Sequence, residues 1–324
     1  MTQNFSRRAI IGGIGAALST AAMLPAKGDT RSLFVGKSVR LVTEYPAGSG
    51  PDLVGRLIAP RLSEMLGGNF VVEPRQGAGG RIAAQGVAGA PADGSTLLLM
   101  TAAQTVIAVT DPKISYNVLN DFQFVSMLVE YPFFIFTSAT SDYNSLSALL
   151  DAARKNPSEI TYATPGVGTT THLAMEMLVK HAGVTMTHVP YAGAQMLPDV
   201  QSNVVSSGVG NLGAMKGLID AGNLRALAVT SKGRDPLTQT VPAVSENVPG
   251  YDVTTWIALA APSGTPRPLV DGLHEAVRKI MEEPEIRERL SIVGFSPVTN
   301  KPEEMRARVA SDIAKWAPYG TARR

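Results

Sequence analysis

Residues 39–66 read VRLVTEYPAGSGPDLVGRLIAPRLSEML. Val39 to Thr43 form a short β-rich run. Tyr-Pro, four small residues and a second Pro then interrupt the apolar pattern. From Leu53 it resumes at 53, 54, 57, 58, 62, 65 and 66, the spacing of one helix face. The unit is strand, loop, helix. Pro60 stands inside the helical pattern and predicts a kink or a break near Ala59, because an interior proline costs about 3 kcal/mol.

Working outward, the same alternation repeats. NFVVEPR (69–75) reads as a strand, QGAGGRIAAQGVAGA (76–90) as a glycine loop entering a small-residue helix, and GSTLLLMT (94–101) as a strand. A βαβαβ order implies a parallel sheet covered on both faces. A second series begins with a strand at YPFFIFT (131–137) and a helix over 146–155. ITYAT (160–164), the loop PGVGTTT and a helix from His172 follow. VTMTHVPY, a helix near 195–202, a further strand and LRALAVT (224–230) complete it, and SKGRDPLTQTVPAVSENVPG (231–250) reads as a return crossing. A strand at TTWIALAAP, helices after Pro266 and over 284–290, and an amphipathic helix from about Pro302 to Trp316 end the chain. The expected fold class is α/β with two lobes, each a mainly parallel sheet flanked by helices. Residues 30–130 and 232–324 are expected to build lobe 1 and residues 131–231 lobe 2, with the C-terminal helix packing on lobe 2.

Composition narrows the class. With 324 residues, 44% hydrophobic and 17% charged, the chain is long enough for two cores. Residues 1–26 read as a separate secretory signal: Arg7 and Arg8, an apolar run from Ala9 to Leu24, then a small-residue site ending at Ala26. The run falls short of the roughly 20 apolar residues that span a bilayer. Ser6-Arg7-Arg8 resembles a twin-arginine export motif, although Ile10 and Gly12 depart from it, so the general secretory route stays open. Cleavage would leave a mature chain beginning near Lys27 and lower the formal charge from +2 to zero. Nothing favours nucleic acid, whose partners carry clustered basic surface. The absence of cysteine excludes thiol catalysis, disulfides and Cys-ligated metal.

Two loops carry the functional signal, AGSGPD (47–52) and TPGVGTTTH (164–172). Each leaves a predicted strand and enters a helix, at the strand edge where open α/β sheets bind ligands. A first helical turn offers unpaired N–H groups and the positive end of the dipole, which favours an anion. Neither loop holds Lys or Arg, and Gly48, Gly50, Gly166 and Gly168 let the backbone approach a bound group. A small carboxylate held by amides and Ser or Thr hydroxyls fits. Alternatively, Asp52 and Thr169 or Thr170 act as helix N-caps. Enzyme patterns fail: AGSGP lacks the glycines of a nucleophile elbow, no glycine run completes a dinucleotide or phosphate loop, and His172, His181, His188 and His274 show no metal-binding spacing. His172 can face the cleft, whereas the other three read as surface or structural. Trp256, Trp316 and the YPFFIF aromatics read as core or hinge packing. No catalytic residue, metal or cofactor is expected.

YPAGSGPD, VVEPRQGAGG, APADGSTLL, YATPGVGTTTHLA, HVPYAG, AGNLRALAVTS and APSGTP occur in this order. They resemble the Bug family, the substrate-binding proteins of tripartite tricarboxylate transporters, over about residues 37–317. The resemblance implies a type II periplasmic binding protein that closes on a small carboxylate such as a di- or tricarboxylic acid, an aromatic acid or an amino acid. It implies delivery to the membrane subunits of a tripartite system by a monomer in the periplasm. The implied ligand-binding set is Gly48, Ser49, Gly50, Asp52, Thr101, Thr164, Gly166, Val167, Gly168, Thr169, Thr170 and His172. Two departures stand out: Ala192 replaces a common Lys or Arg, and QSNVVSSGVGNLG (201–213) puts Ser206, Ser207, Gly208 and Asn211 where an acidic residue is usual. A sensor-kinase adaptor and a periplasmic enzyme are the competing readings.

Overall fold

Why these residues make two sheets rather than one is visible in the computed structural model, which describes residues 33–191 and 194–320. The signal at 1–26 and the departure at Ala192 lie outside the described residues. The opening unit is β1 (Ser38–Thr43), α1 (Gly50–Leu66) and β2 (Asn69–Pro74), followed by α2 (Arg81–Ala88), β3 (Thr96–Thr101) and α3 (Ala103–Thr110). β1 pairs in parallel with both β2 and β3. The long β4 (Phe122–Pro132) runs straight into β5 (Phe134–Ser138), which opens the second unit.

That unit continues with α4 (Leu146–Lys155), β6 (Thr161–Thr164), α5 (Thr170–Ala182), β7 (Thr187–Pro190) and α6 (Met196–Gln201). It closes with β8 (Ser207–Gly210), α7 (Leu212–Asp220) and β9 (Leu224–Val229). The chain then returns through β10 (Thr254–Pro262), α8 (Arg267–Glu282), α9 (Pro284–Ile292), β11 (Ser296–Pro297) and α10 (Pro302–Trp316). The first sheet has the order β11-β4-β10-β3-β1-β2 and the second β7-β6-β8-β5-β9. Both are mixed. The expected parallel pairing holds for β1, β2 and β3 and for β6, β7 and β8. It gives way to antiparallel pairing at β4, β10 and β11 and at β5 and β9, the strands nearest the crossings.

Side chains alternate across each sheet as the pleat requires. Leu97 and Leu99 of β3 join the core under α1 and α8, while Leu98 and Met100 join the core with Ala83, Val87, Met305 and Val309. In the second sheet Ile135 and Tyr162 face one core, and Phe134, Phe136 and Ala163 face the other. α10 bridges the lobes, with Met305 and Val309 in a first-lobe core and Trp316 in a second-lobe core.

Two expectations need correction. α1 runs unbroken through Pro60. Pro60 lies on the exposed face, where water can satisfy the Arg56 carbonyl that the missing N–H leaves unpaired. YPFFIFT is not one strand beginning at Tyr131, because Tyr131 and Pro132 end β4 and Phe134 starts β5. Thr230 ties this crossing to the return segment. Its hydroxyl accepts from the Phe133 N–H (2.8 Å) and donates to the Val253 carbonyl (2.7 Å).

Candidate ligand-binding site

A cavity of about 470 Å³ opens between the two sheets, walled on one side by Gly48, Ser49, Gly50 and Thr101 and on the other by Thr169, Thr170 and Asn211. The strands carry α1 and α5 to it with their N-termini inward, one from each lobe. A second cavity of about 490 Å³ lies behind the crossing strands. Several of its charged groups are engaged, as in Arg308 to Glu130 (2.7 Å) and Arg234 to Glu246 (2.8 Å), and among the described residues no long helix aims its N-terminus into it as α1 and α5 do into the first.

In the first loop, Gly48 takes φ +82°, a left-handed value that glycine adopts without strain. The Asp52 carboxylate accepts from the Gly48 N–H (2.9 Å) and the Arg56 Nε (2.8 Å). Burial opposes its charge, yet the bonds from Arg56 and Gly48 outweigh burial and hold the carboxyl below its ordinary range. Asp52 is therefore not the N-cap: it sits in the first turn and reaches back, while Ser49 holds the cap position without using its side chain. Ser49 Oγ and Asp52 Oδ1 are buried with no protein partner. In native structures such atoms are paired, so a cleft occupant or water is the natural partner.

In the second loop Thr169 is the N-cap of α5, accepting from the His172 N–H (3.2 Å). Its one hydroxyl proton goes to the Gly166 carbonyl (2.8 Å). The free donors here are the hydroxyl of Thr170 and the first-turn N–H groups of Thr170 and Thr171. Gly168, at φ +74°, sends its N–H to His172 Nδ1 (3.2 Å).

The other expected residues stand behind the loops. Asp52, Thr164, Gly166, Val167, Gly168 and His172 do not line the cavity. Thr164 bonds His188 Nε2 (2.7 Å), and the His172 and His188 rings lie 4.2 Å apart. Because His172 Nδ1 accepts, its proton is on Nε2, toward Glu176 (3.8 Å). Thr101 lines the wall, but its hydroxyl donates to Glu44 (2.6 Å). Sequence reasoning missed Tyr45, Val293 and Phe295, noted Asn211 only as standing where an acidic residue is usual, and read Tyr131 and Phe133 as packing alone, whereas all six line the cavity.

Burial depresses the His172 pKa, against the pull of Glu176. Burial and the neighbouring His172 lower His188 from 6.5 to about 4. The unfolded chain thus binds a proton that the folded His188 refuses. Stability from this site is complete above about pH 6.5 and is lost as pH falls through about 4. We expect a loss of roughly 1–3 kcal/mol across that window. His188→Phe, which keeps a ring against Tyr162, should flatten the acid limb of a melting-temperature profile. An unchanged profile would refute the assignment.

Comparison with known proteins agrees with this geometry. Residues 54–322 match the tripartite tricarboxylate transporter family receptor. The chain is 30% identical to BugT of Bordetella pertussis over 94% of both chains. A solved R. palustris protein with adipate superposes with a TM-score of 0.80 at 33% identity, covering 89% of this chain and 97% of that one. MatC from Rhodopseudomonas palustris with bound malate gives 0.78 at 27%, covering 89% of this chain and 100% of that one. The chain belongs to the tripartite tricarboxylate transporter receptor family, a family of periplasmic solute-binding proteins and not of enzymes.

Proposed function

We propose that the chain captures a small carboxylate between its lobes and delivers it to the membrane subunits of a tripartite transporter, after export by a signal at residues 1–26. One observation carries the reading: the N-termini of α1 and α5, from opposite lobes, face one cavity beside a buried, unpartnered Ser49 Oγ. Two dipole ends and neutral donors suit one anionic group. Relatives holding adipate and malate support the same ligand chemistry. The lobes divide at the Phe133 and Thr230 crossings, and a hinge there would close them.

Calorimetric titration separates the two adjacent threonines. Thr170→Val should weaken a bound carboxylate by about 1.5–3 kcal/mol, tenfold to over a hundredfold, because a bond to a charged group is lost. Thr169→Val should instead lower the melting temperature, since a cap is worth about 0.5–2 kcal/mol. If an acid and its amide bind the wild type equally, the carboxylate reading is wrong.

Export is tested separately. Replacing Arg7 and Arg8 by Lys should retain the precursor in the cytoplasm if the twin-arginine route operates. Normal export would assign the general route, and an intact N-terminus on exported protein would refute cleavage.

A further inference from the structure

We infer that the ligand is a monocarboxylate with a flat, apolar, ring-containing body, not an aliphatic di- or tricarboxylate. The inference rests on the carboxylate reading and refines it. Among the described residues, no Lys, Arg, His, Asp or Glu lines the cavity. Ala192 and Gly193, which lie outside the described residues, carry no charge.

Beyond the donors of α1 and α5, the polar side chains at the wall are those of Thr101, Thr255 and Asn211, and its large side chains are Tyr45, Leu53, Tyr131, Phe133, Val293 and Phe295. The Tyr131 and Phe295 rings lie 4.5 Å apart at 35°, and Tyr131 meets Phe133 edge-on at 6.4 Å and 85°. Phe295 also rests on the start of α1, where a Cβ on Gly50 would come within 2.8 Å of its ring. The aromatic wall thus abuts the anion-holding turn, and a carboxylate bonded there must direct its body along the rings. Aromatic faces and edges favour another ring at such spacings.

A second carboxylate would be taken from water with no cation to compensate it. The third helix terminus at the cavity, that of α7, does not supply the deficit. Asn211 caps it through the Ala214 N–H (3.0 Å), and, beside the first-turn N–H groups that remain, the Val293 carbonyl oxygen lies 3.0 Å from the Cβ position of Gly213. A carbonyl dipole at that place opposes an anion. A cavity of about 470 Å³ leaves room for one substituted ring.

The test is calorimetric titration of the full mature protein with benzoate, phenylacetate, adipate, malate and benzamide. At least one ring monocarboxylate should bind tenfold or more tightly than adipate and malate. Phe295→Ala should cost that acid about tenfold, and Phe295→Leu, which keeps apolar bulk, should cost it less. If adipate or malate binds and outbinds every ring acid, the inference is overturned while the carboxylate reading stands. Measurable and equal binding of benzoate and benzamide, or no binding of any of the acids, would overturn the carboxylate reading itself.

Discussion

Asp312→Ala is expected to destabilise the fold by roughly 2–4 kcal/mol. Asp312 is buried in α10, where Oδ2 accepts from Trp256 Nε1 (2.7 Å) and Arg308 Nε (3.1 Å). Arg308 continues outward to Glu130 (2.7 Å) and the Thr254 hydroxyl (2.8 Å). Removing the carboxylate leaves a fully buried indole N–H without an acceptor. Arg308 keeps Glu130, so the loss stays below that of a wholly stranded charge. Asp312→Asn retains an oxygen for Trp256 and should cost about half as much. Denaturant midpoints at unchanged m-value measure both variants. Equal midpoints for Asp312→Ala and wild type would mean that the indole N–H finds another partner. The network matters beyond stability because Glu130 and Thr254 lie near the crossing and α10 spans both lobes.

How much of this was legible in the sequence differs between fold and site. β10 and α10 could be bounded closely, because each is a long uniform pattern: a continuous apolar run between turn signals, and a 3.6-residue period after Pro302. β4 was legible only at its end. Its residues are buried on both faces, so it lacks strand alternation, and Tyr-Pro read as a start when it is the stop. α3 and α7 were missed too: short helices with apolar residues on several sides carry little period.

The two loops were legible because glycine, serine and proline between a strand and a helix have few other uses. Which hydroxyl caps and which faces the ligand was not. Neighbouring helix positions lie about 100° apart, so a one-residue shift in helix start exchanges Thr169 with Thr170. Asp52 shows the same limit, since an acid at the cap and one three residues later look alike in sequence. The far wall was hidden for another reason. Asn211 and Phe295 come from separate segments that meet only after both lobes fold, with Gly294 pressed on Leu212 so that a Cβ there would come within 2.8 Å of it.

Glu44→Gln is expected to stabilise the protein increasingly as pH rises, by roughly 3 kcal/mol more at pH 8 than at pH 5. Glu44 directly follows β1, at the start of the first loop, and it is buried. Thr101 Oγ1 (2.6 Å) and Gln104 Nε2 (2.5 Å) approach its oxygens, and Tyr116 fixes Gln104 from behind (2.5 Å). Burial raises its pKa from 4.5 to about 8, against the bonds from Thr101 and Gln104. Here the unfolded carboxyl gives up its proton while the folded one keeps it. Its stabilising contribution is therefore complete below about pH 4.5 and is lost as pH rises through about 8. Glutamine mimics the neutral form and titrates nowhere, so the gap between variant and wild-type melting curves should widen with pH; parallel curves would show that Glu44 is already ionised near neutrality. The same residue reaches the cavity through one bond, because Thr101 both lines it and donates to Glu44. An ionised Glu44 places a negative charge directly behind the proposed anion site, where the low dielectric leaves repulsion poorly screened. Carboxylate affinity in the wild type should accordingly fall as pH passes about 8, and in Glu44→Gln it should not. A wild-type affinity that stays level from pH 6.5 to 9 would separate Glu44 from the site and reduce it to a buried structural acid.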